Sequence, residues 1–438
     1  MNQLADRIAR QWGRVMLIVW IAGLCLCQGQ DLRAEKVYLD IVASDVRKVM
    51  IAVPPFRDKD SGNVGEKGMD LARLLARGLE FHGFIQILDP GRYGSNTDAD
   101  WKSFGVDYVV LGVVSRSGGK MILEGKLLDV ADNRMLAGRR YRGLPEQAED
   151  MVLRFCDALI GEFTGEPGIS RTSIAFISDA TGAKEVYVAD VLGRRVRQVT
   201  RHRHLCVSPR FSPDGNLLAY STYHHGNQDL YITDLRQNKI TRAISRRRGL
   251  NLAPAFSPDG KTMVVTLSKD GGPDLYLMNL QGKILKRLTA RAGINVSPSF
   301  SPDGSMLAFV SDRSGQPQIY IMQMGDGRIQ RLTFHGMENS EPSWSPKGDQ
   351  LAYTGLQDGH YQIFTIHVPD GQDYRQVTSG WGDFESPSWS PDGKQIVFTR
   401  RRNGRQELCR VFRNGKDLQV LFRLKGNQSS PQWSSRPR

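Results

Sequence analysis

Histidine pairs, acidic loops, cysteines and arginine runs are the residues of this sequence whose types and spacing suit chemistry. His202-x-His204 and His224-His225 offer metal-binding nitrogens, but no Cys, Asp or Glu stands beside them at ligand spacing, so surface loop histidines are expected. Asp58-x-Asp60-x-Gly62 opens like a calcium loop and then lacks the later oxygen ligands and the closing glutamate. Asp214, Asp259, Asp303 and Asp392 recur, yet each sits inside Ser-Pro-Asp-Gly, where Asp bonds the backbone ahead of it and forms a turn. Cys156, Cys206 and Cys409 are odd in number and fit no zinc spacing. They read as buried free thiols, with a Cys206–Cys409 bridge as the alternative. There is no G-x-S-x-G elbow and no α/β-hydrolase-sized segment, so a serine peptidase is not indicated. Arg246-Arg247-Arg248 and Arg400-Arg401-Arg402 have the charge to meet nucleic acid or lipid headgroups but no interleaved aromatics for base stacking. Solvated edges, or a surface that steers an acidic partner, fit them better. The set predicts no enzyme, no metal and no cofactor.

The elements that position these residues are announced by a repeat. Phe211-Ser-Pro-Asp-Gly215, Phe256-Ser-Pro-Asp-Gly260, Phe300-Ser-Pro-Asp-Gly304, Trp344-Ser-Pro-Lys-Gly348 and Trp389-Ser-Pro-Asp-Gly393 are spaced by 45, 44, 44 and 45 residues. Trp433-Ser434 follows 44 residues on without its turn, and every aromatic comes two residues after a proline: Pro209, Pro254, Pro298, Pro342, Pro387 and Pro431. Each unit reads as four strands, A to D. Strand A ends at the aromatic, the turn leads into an alternating strand B such as Met306–Val310, and C and D follow (Gln318–Met322 and Ile329–Thr333). Four strands in about 44 residues make one propeller blade. The first B–C–D set (from Ile174) has no A strand before it, and the final A strand (Ser430–Trp433) has no B–D after it. The expected fold is therefore a six-bladed β-propeller in which the C-terminal strand closes the first blade. Basic residues on the outer D strands (Arg194, Arg195, Arg197, Lys286, Arg287, Arg331) are expected to block edge-to-edge pairing.

Ahead of the propeller the pattern is mixed. Strands are expected at Val37–Val42, Val49–Val53 and Phe84–Leu88, helices from Gly65 to His82 and from Pro145 to Phe163, and a meander between them over Val106–Arg142. That is a small α/β domain, assigned residues 35–165, with the propeller over 166–438 and Thr164–Gly168 as linker. Residues 1–34 read as a signal peptide: Arg7, Arg10 and Arg14, then the apolar run Val15–Cys27, with cleavage after Ala34 and an uncleaved signal anchor as the alternative. The chain is thus expected in an exported compartment, peripheral to membranes rather than integral, and monomeric. Charge is uneven, with a net −3 over residues 35–168 and +14 over 169–438. The basic excess belongs to the propeller, and an exported chain seldom meets nucleic acid.

Because successive strands run antiparallel, the D-to-A and B-to-C loops share one face and the Ser-Pro-Asp-Gly turns lie on the other. The D-to-A loops lack the turn consensus and hold residues that a fold does not demand: His204, Leu250, Asn251, Asn295, Val296, Glu338, Asn339, Trp381, Asp383 and Phe384. Apolar and amide groups around a channel mouth suit a protein partner, with Trp381 as an anchor. A different class of function remains open: a small ligand or glycan held in the central channel.

The signal, the strand opening at Glu35-Lys-Val-Tyr-Leu-Asp40, the α/β domain and the six Pro-x-[Phe/Trp]-Ser repeats together resemble the TolB family of the Tol-Pal system. The resemblance covers nearly all of the chain after residue 34. It implies a periplasmic, non-catalytic adaptor whose propeller binds the peptidoglycan-associated lipoprotein Pal and whose N-terminal segment engages TolA, supporting outer-membrane integrity and constriction at cell division. It also implies that the loops around Leu250–Ala253 and Asn295–Ser297 meet the partner, which adds Ala253 and Ser297 to the candidate residues.

Overall fold

The structure, a computed structural model, describes residues 47–95, 99–223, 226–236, 241–290 and 292–437. The expected signal segment, the strand at Val37–Val42 and His224-His225 lie outside these residues.

The α/β part carries β1 (Val49–Ala52), β2 (Arg57–Asp58), α1 (Glu66–Glu80), β3 (Ile85–Ile87), β4 (Tyr108–Ser117), β5 (Lys120–Asp129), β6 (Arg134–Gly143) and α2 (Ala148–Thr164). Its sheet runs β3-β1-β4-β5-β6, with β2 pairing β4 off that path. β1 is parallel to both neighbours, whereas β4, β5 and β6 form the antiparallel meander that their tight turns predict. Leu71, Leu74, Leu75 and Leu79 put the apolar stripe of α1 into the core, and α2 adds Met151, Phe155, Leu159 and Ile160. Gly165, at φ +77°, takes the left-handed conformation that ends α2.

Six four-stranded sheets follow among the described residues, each in simple A-B-C-D order. Blade one is Cys206–Phe211, Leu217–Thr222, Asp229–Asp234 and Thr241–Ser245. The remaining inner A strands are Asn251–Phe256, Asn295–Phe300, Asn339–Trp344, Asp383–Trp389 and Gln428–Trp433. In the sixth sheet Gln428–Trp433 pairs antiparallel with Ser173–Ser178, with Trp433 opposite Ile174. Every A strand carries a bulge at its proline. The residue before each proline (Ser208, Ala253, Ser297, Glu341, Ser386, Ser430) has a φ between +47° and +58°, a left-handed state unusual for non-glycine residues.

The turns work as their sequence says. Asp214 Oδ1 accepts from Ser212 Oγ at 2.5 Å and from Asn216 N at 3.0 Å, and Asp259, Asp303 and Asp392 repeat the pattern. The hydrogen bond from Ser301 is the main reason that Asp303 titrates at about 2. In the fourth unit Lys347 replaces the aspartate, and Ser345 Oγ turns to Asp349 instead, at 2.9 Å.

The α/β part sits against the turn side of the ring. Gln395, just past one such turn, donates to Phe81 O at 3.2 Å, and the Phe81 ring lies 6.2 Å from that of Trp433. Gly83, at φ +82°, admits the Phe412 ring so closely that a Cβ would come within 2.1 Å of it. The connection is a three-amide latch. Gly168 N donates to Asp157 O (2.9 Å), Ile169 N to His82 Nε2 (3.1 Å) and Ser170 N to Asp157 Oδ1 (2.7 Å). His82 is buried, its Nδ1 donates to Gly78 O at 2.9 Å, and burial holds it neutral down to about pH 4.

Two expectations about side chains change. Arg194 and Arg195 do more than guard an edge: both pair with Glu149 of α2, tying blade six to the α/β part. Arg287 reaches inward to Asp274 at 2.5 Å, and Arg331 donates to Thr333 O at 2.6 Å. The three described cysteines are buried and free, including Cys206 and Cys409.

Candidate partner-binding face

On the loop face the chain supplies two layers, a buried polar one and an exposed apolar one. The buried layer is built alike in successive blades. In blades two and three the first residue of strand C, a Thr after strand D, and the first residue of the next A strand form one hydrogen-bonded trio, and blade one varies the scheme. In blade two Thr289 Oγ1 accepts from Leu275 N (2.9 Å) and donates to Asp274 Oδ1 (2.8 Å), and Asn295 Nδ2 reaches the same carboxylate at 3.1 Å. In blade three the corresponding trio is Thr333, Gln318 and Asn339, with both side chains donating to Gln318 Oε1 at 2.8 Å. In blade one Asn251 accepts from Ser245 Oγ and donates to Gln228 O at 3.0 Å.

This corrects the expectation for four candidate residues. Asn251, Asn295 and Asn339 are 0%, 0% and 2% exposed, so their amides bind the scaffold and are not offered to a partner. Phe384, 2% exposed, packs edge-on against Phe398 with centroids 5.8 Å apart. All four are residues the fold does demand. A buried amide with unmet bonds is costly, so a D-to-A loop that must be held down places one where three strands meet.

The other candidates lie nearer the surface. His204 is exposed, whereas His202 is packed on Tyr220 and hydrogen-bonded to its hydroxyl at 3.0 Å. Leu250, Ala253, Val296 and Ser297 are half-buried. Glu338 accepts from Tyr361 OH at 3.3 Å, and Asp383 accepts from Tyr361 N and pairs with Arg401 at 3.0 Å. Trp381 is 55% exposed, with the Arg402 guanidinium 4.8 Å from its ring centre. The hairpins beside it are longer than in the other blades: Gln350–Gln357 with His360–His367, and Gln395–Arg402 with Arg405–Phe412, eight residues a strand.

Sequence reasoning passed over the most exposed apolar side chains of these loops. Phe334 and Met337 are 69% and 72% exposed, and Leu205, Tyr223 and Ile294 also stand out on the same face. A signal was present: large apolar residues in loops without a turn consensus. An apolar set of this kind, with arginines stacked on Phe334 and Trp381, has the composition of a protein-docking surface. Among the described residues no group of three His, Cys, Asp or Glu side chains is placed to hold a metal ion.

Residues 37–136 match the family model for the TolB amino-terminal domain, and residues 161–436 match that for the TolB beta propeller domain. The Tol-Pal system protein TolB of Desulfotalea psychrophila is 48% identical over 235 residues, which cover 52% of this chain and 52% of the relative. The same-named protein of Desulfosudis oleivorans is 38% identical over 236 residues, covering 50% and 53%. The chain thus spans about half the length of these curated relatives (52% and 53%). The crystal structure of TolB from Acinetobacter baumannii aligns with a TM-score of 0.78 at 27% identity, over 89% of this chain and 98% of that one.

Proposed function

The chain belongs to the TolB family, and from that premise we propose that it is a non-catalytic adaptor of the Tol-Pal system acting in the periplasm. In this reading residues 1–34 are the export signal, 35–165 the α/β domain and 166–438 the propeller. The loop face binds the peptidoglycan-associated lipoprotein Pal, and the N-terminal segment engages TolA. The assembly would support outer-membrane integrity and envelope constriction at division. The observation that carries the reading is the cluster of exposed apolar side chains on the loop face, Phe334, Met337 and Trp381 foremost, on the side away from the α/β part. Among the described residues no helix is long and apolar enough to cross a membrane.

Titration of the soluble domain of Pal onto the full chain tests it. Phe334→Asp, Met337→Asp and Trp381→Asp should each weaken binding at least tenfold, about 1.4 kcal/mol. Lys261→Asp on the turn face should leave it unchanged. An equal loss from Lys261→Asp, or none from the three loop variants with the fold intact, would refute the face.

A further inference from the structure

The ring encloses a cavity of about 370 Å³ on its axis, lined by inner-strand residues of all six blades and opening among the turn residues Pro213, Pro258, Pro302 and Pro346. One residue past each proline, the six blades contribute Arg210, Ala255, Ser299, Ser343, Ser388 and Gln432 to its wall. Five of the six carry hydrogen-bond donors, and one of these is a permanent cation.

The donors are poorly matched by protein acceptors. Gln432 Oε1 is committed to Phe211 N at 2.5 Å, which fixes the amide beside the residue adjacent to Arg210 and leaves its NH2 group to donate elsewhere. Ser388 Oγ accepts from Trp433 N at 3.0 Å, so its own proton is free to donate. Among the described residues Arg210 gives one hydrogen bond, from Nη1 to its own neighbour Pro209 O at 3.0 Å, and has no ion-pair partner within 4.0 Å. Glu341 is the carboxylate whose charge reaches it, but the Glu341 oxygens are already taken by Ser386 N (2.7 Å), Ser386 Oγ (2.8 Å) and Thr354 Oγ1 (2.9 Å). Other buried or partly buried arginines of the propeller have either a carboxylate (Arg287 has Asp274, Arg400 has Glu407, Arg410 has Asp417) or an acceptor from a more distant residue (Arg247 has Gly282 O, Arg313 has Asn295 Oδ1). A guanidinium withdrawn from bulk water without a counter-charge is costly, and its planar fork fits the two oxygens of an oxyanion.

We propose that the turn-side end of the propeller channel is a binding site for a small oxyanion, a carboxylate or a phosphate, held by Arg210 and assisted by Gln432 and Ser388. The cavity admits a small molecule or the end of a chain, not a folded partner. The site is independent of the loop-face reading, because Phe334, Met337 and Trp381 are not among the residues that line it.

Titration calorimetry and thermal melts of the full chain with succinate and with inorganic phosphate, at fixed ionic strength and with succinamide as neutral control, test it. Saturable binding of at least one anion is expected, weakened about tenfold or more in Arg210→Gln and unchanged in Arg134→Gln on the exposed β6 strand. The better of the two anions identifies carboxylate or phosphate as the natural group. Peptides with a free and an amidated C-terminus then separate a chain end from a free acid. Gln432→Glu covers the case of a misfolded Arg210 variant. It should set a carboxylate against Arg210, raise the melting temperature of the unliganded chain and abolish saturable binding. Absence of saturable binding by either anion, equal affinity in Arg210→Gln, or undiminished binding in Gln432→Glu overturns the proposal.

Discussion

The two faces of the propeller are made from the same strands and obey different rules. On the turn face one solution recurs: Ser, Pro, Asp and Gly, with serine bonded to aspartate at 2.5–2.6 Å in four units. On the loop face lengths and residues vary, while beneath them a buried network recurs with interchangeable members: Asp274 or Gln318 as acceptor, with Thr289 or Thr333 donating to it. The difference teaches that position in a blade, more than residue type, separates scaffold from display. Asn339 and Met337 are two residues apart in one loop. One is 2% exposed and the other 72%.

The comparison breaks most severely if the two faces can fail separately. A chain stopped at Gly426 lacks Gln428–Trp433, the inner strand that contributes Trp433 to the buried cluster running from α1 and α2 into blade six. Losing a buried Trp with its strand costs ~5 kcal/mol or more. At about 2–4 °C for each kcal/mol, the melting temperature should fall by roughly 10 °C or more in one cooperative transition. Loss confined to one blade, or an unchanged melt, would show that the blades are independent.

Neighbouring residues sharpen it next. Asn339→Ala leaves Gln318 and the His335 carbonyl short of a donor and should cost about 2–3 kcal/mol in denaturant melts. Met337→Asp should change stability by no more than about 0.5 kcal/mol while weakening partner binding. If the two variants destabilise alike, the division into buried network and display layer is wrong.

The smallest effect concerns pH on the turn side, through His82 and Asp157 at the latch. His82 is lowered to about 4, chiefly by burial, with Asp392 opposing and Lys394 adding to the shift. Below its unfolded value near 6.5 the unfolded chain takes the proton first, so this group removes stability as pH falls towards 4. Asp157 is raised to about 6 by burial, against the Ser170 hydrogen bonds and Arg171. It therefore adds stability as pH falls from 6 to 4, and the two slopes oppose. Melts between pH 6 and 4 should change little from this pair in the parent chain. Asp157→Asn should lose stability on acidification and His82→Gln should gain it, each by on the order of 2 kcal/mol. Parallel pH profiles in the two variants would dismiss the latch as the titrating element.

Much of this was legible beforehand. The six A strands, the turn aspartates and the two helices of the α/β part follow from local periodicity and turn chemistry, which a chain carries in consecutive residues. What stayed hidden is made by distant ones. Asn295 meets Asp274 and Thr289 through three strands of two blades, and an asparagine in a loop looks the same in sequence whether solvated or buried. Phe384 read as display because its partner Phe398 lies on another strand. Arg194 and Arg195 read as edge charges because Glu149 lies some 45 residues upstream. The exposed Phe334 and Met337 were visible in the loops and were outweighed by the polar candidates beside them.

The pairing of Ser173–Ser178 with Gln428–Trp433 also sets a clock on synthesis. A ribosome delivers the outer three strands of that sheet first and their inner partner about 250 residues later, roughly 10–50 s at common elongation rates. Through that interval Ile174 and Ile177 sit on an open edge able to recruit any extended chain nearby. The order of the strands thus leaves that edge unpaired until residue 433 has emerged.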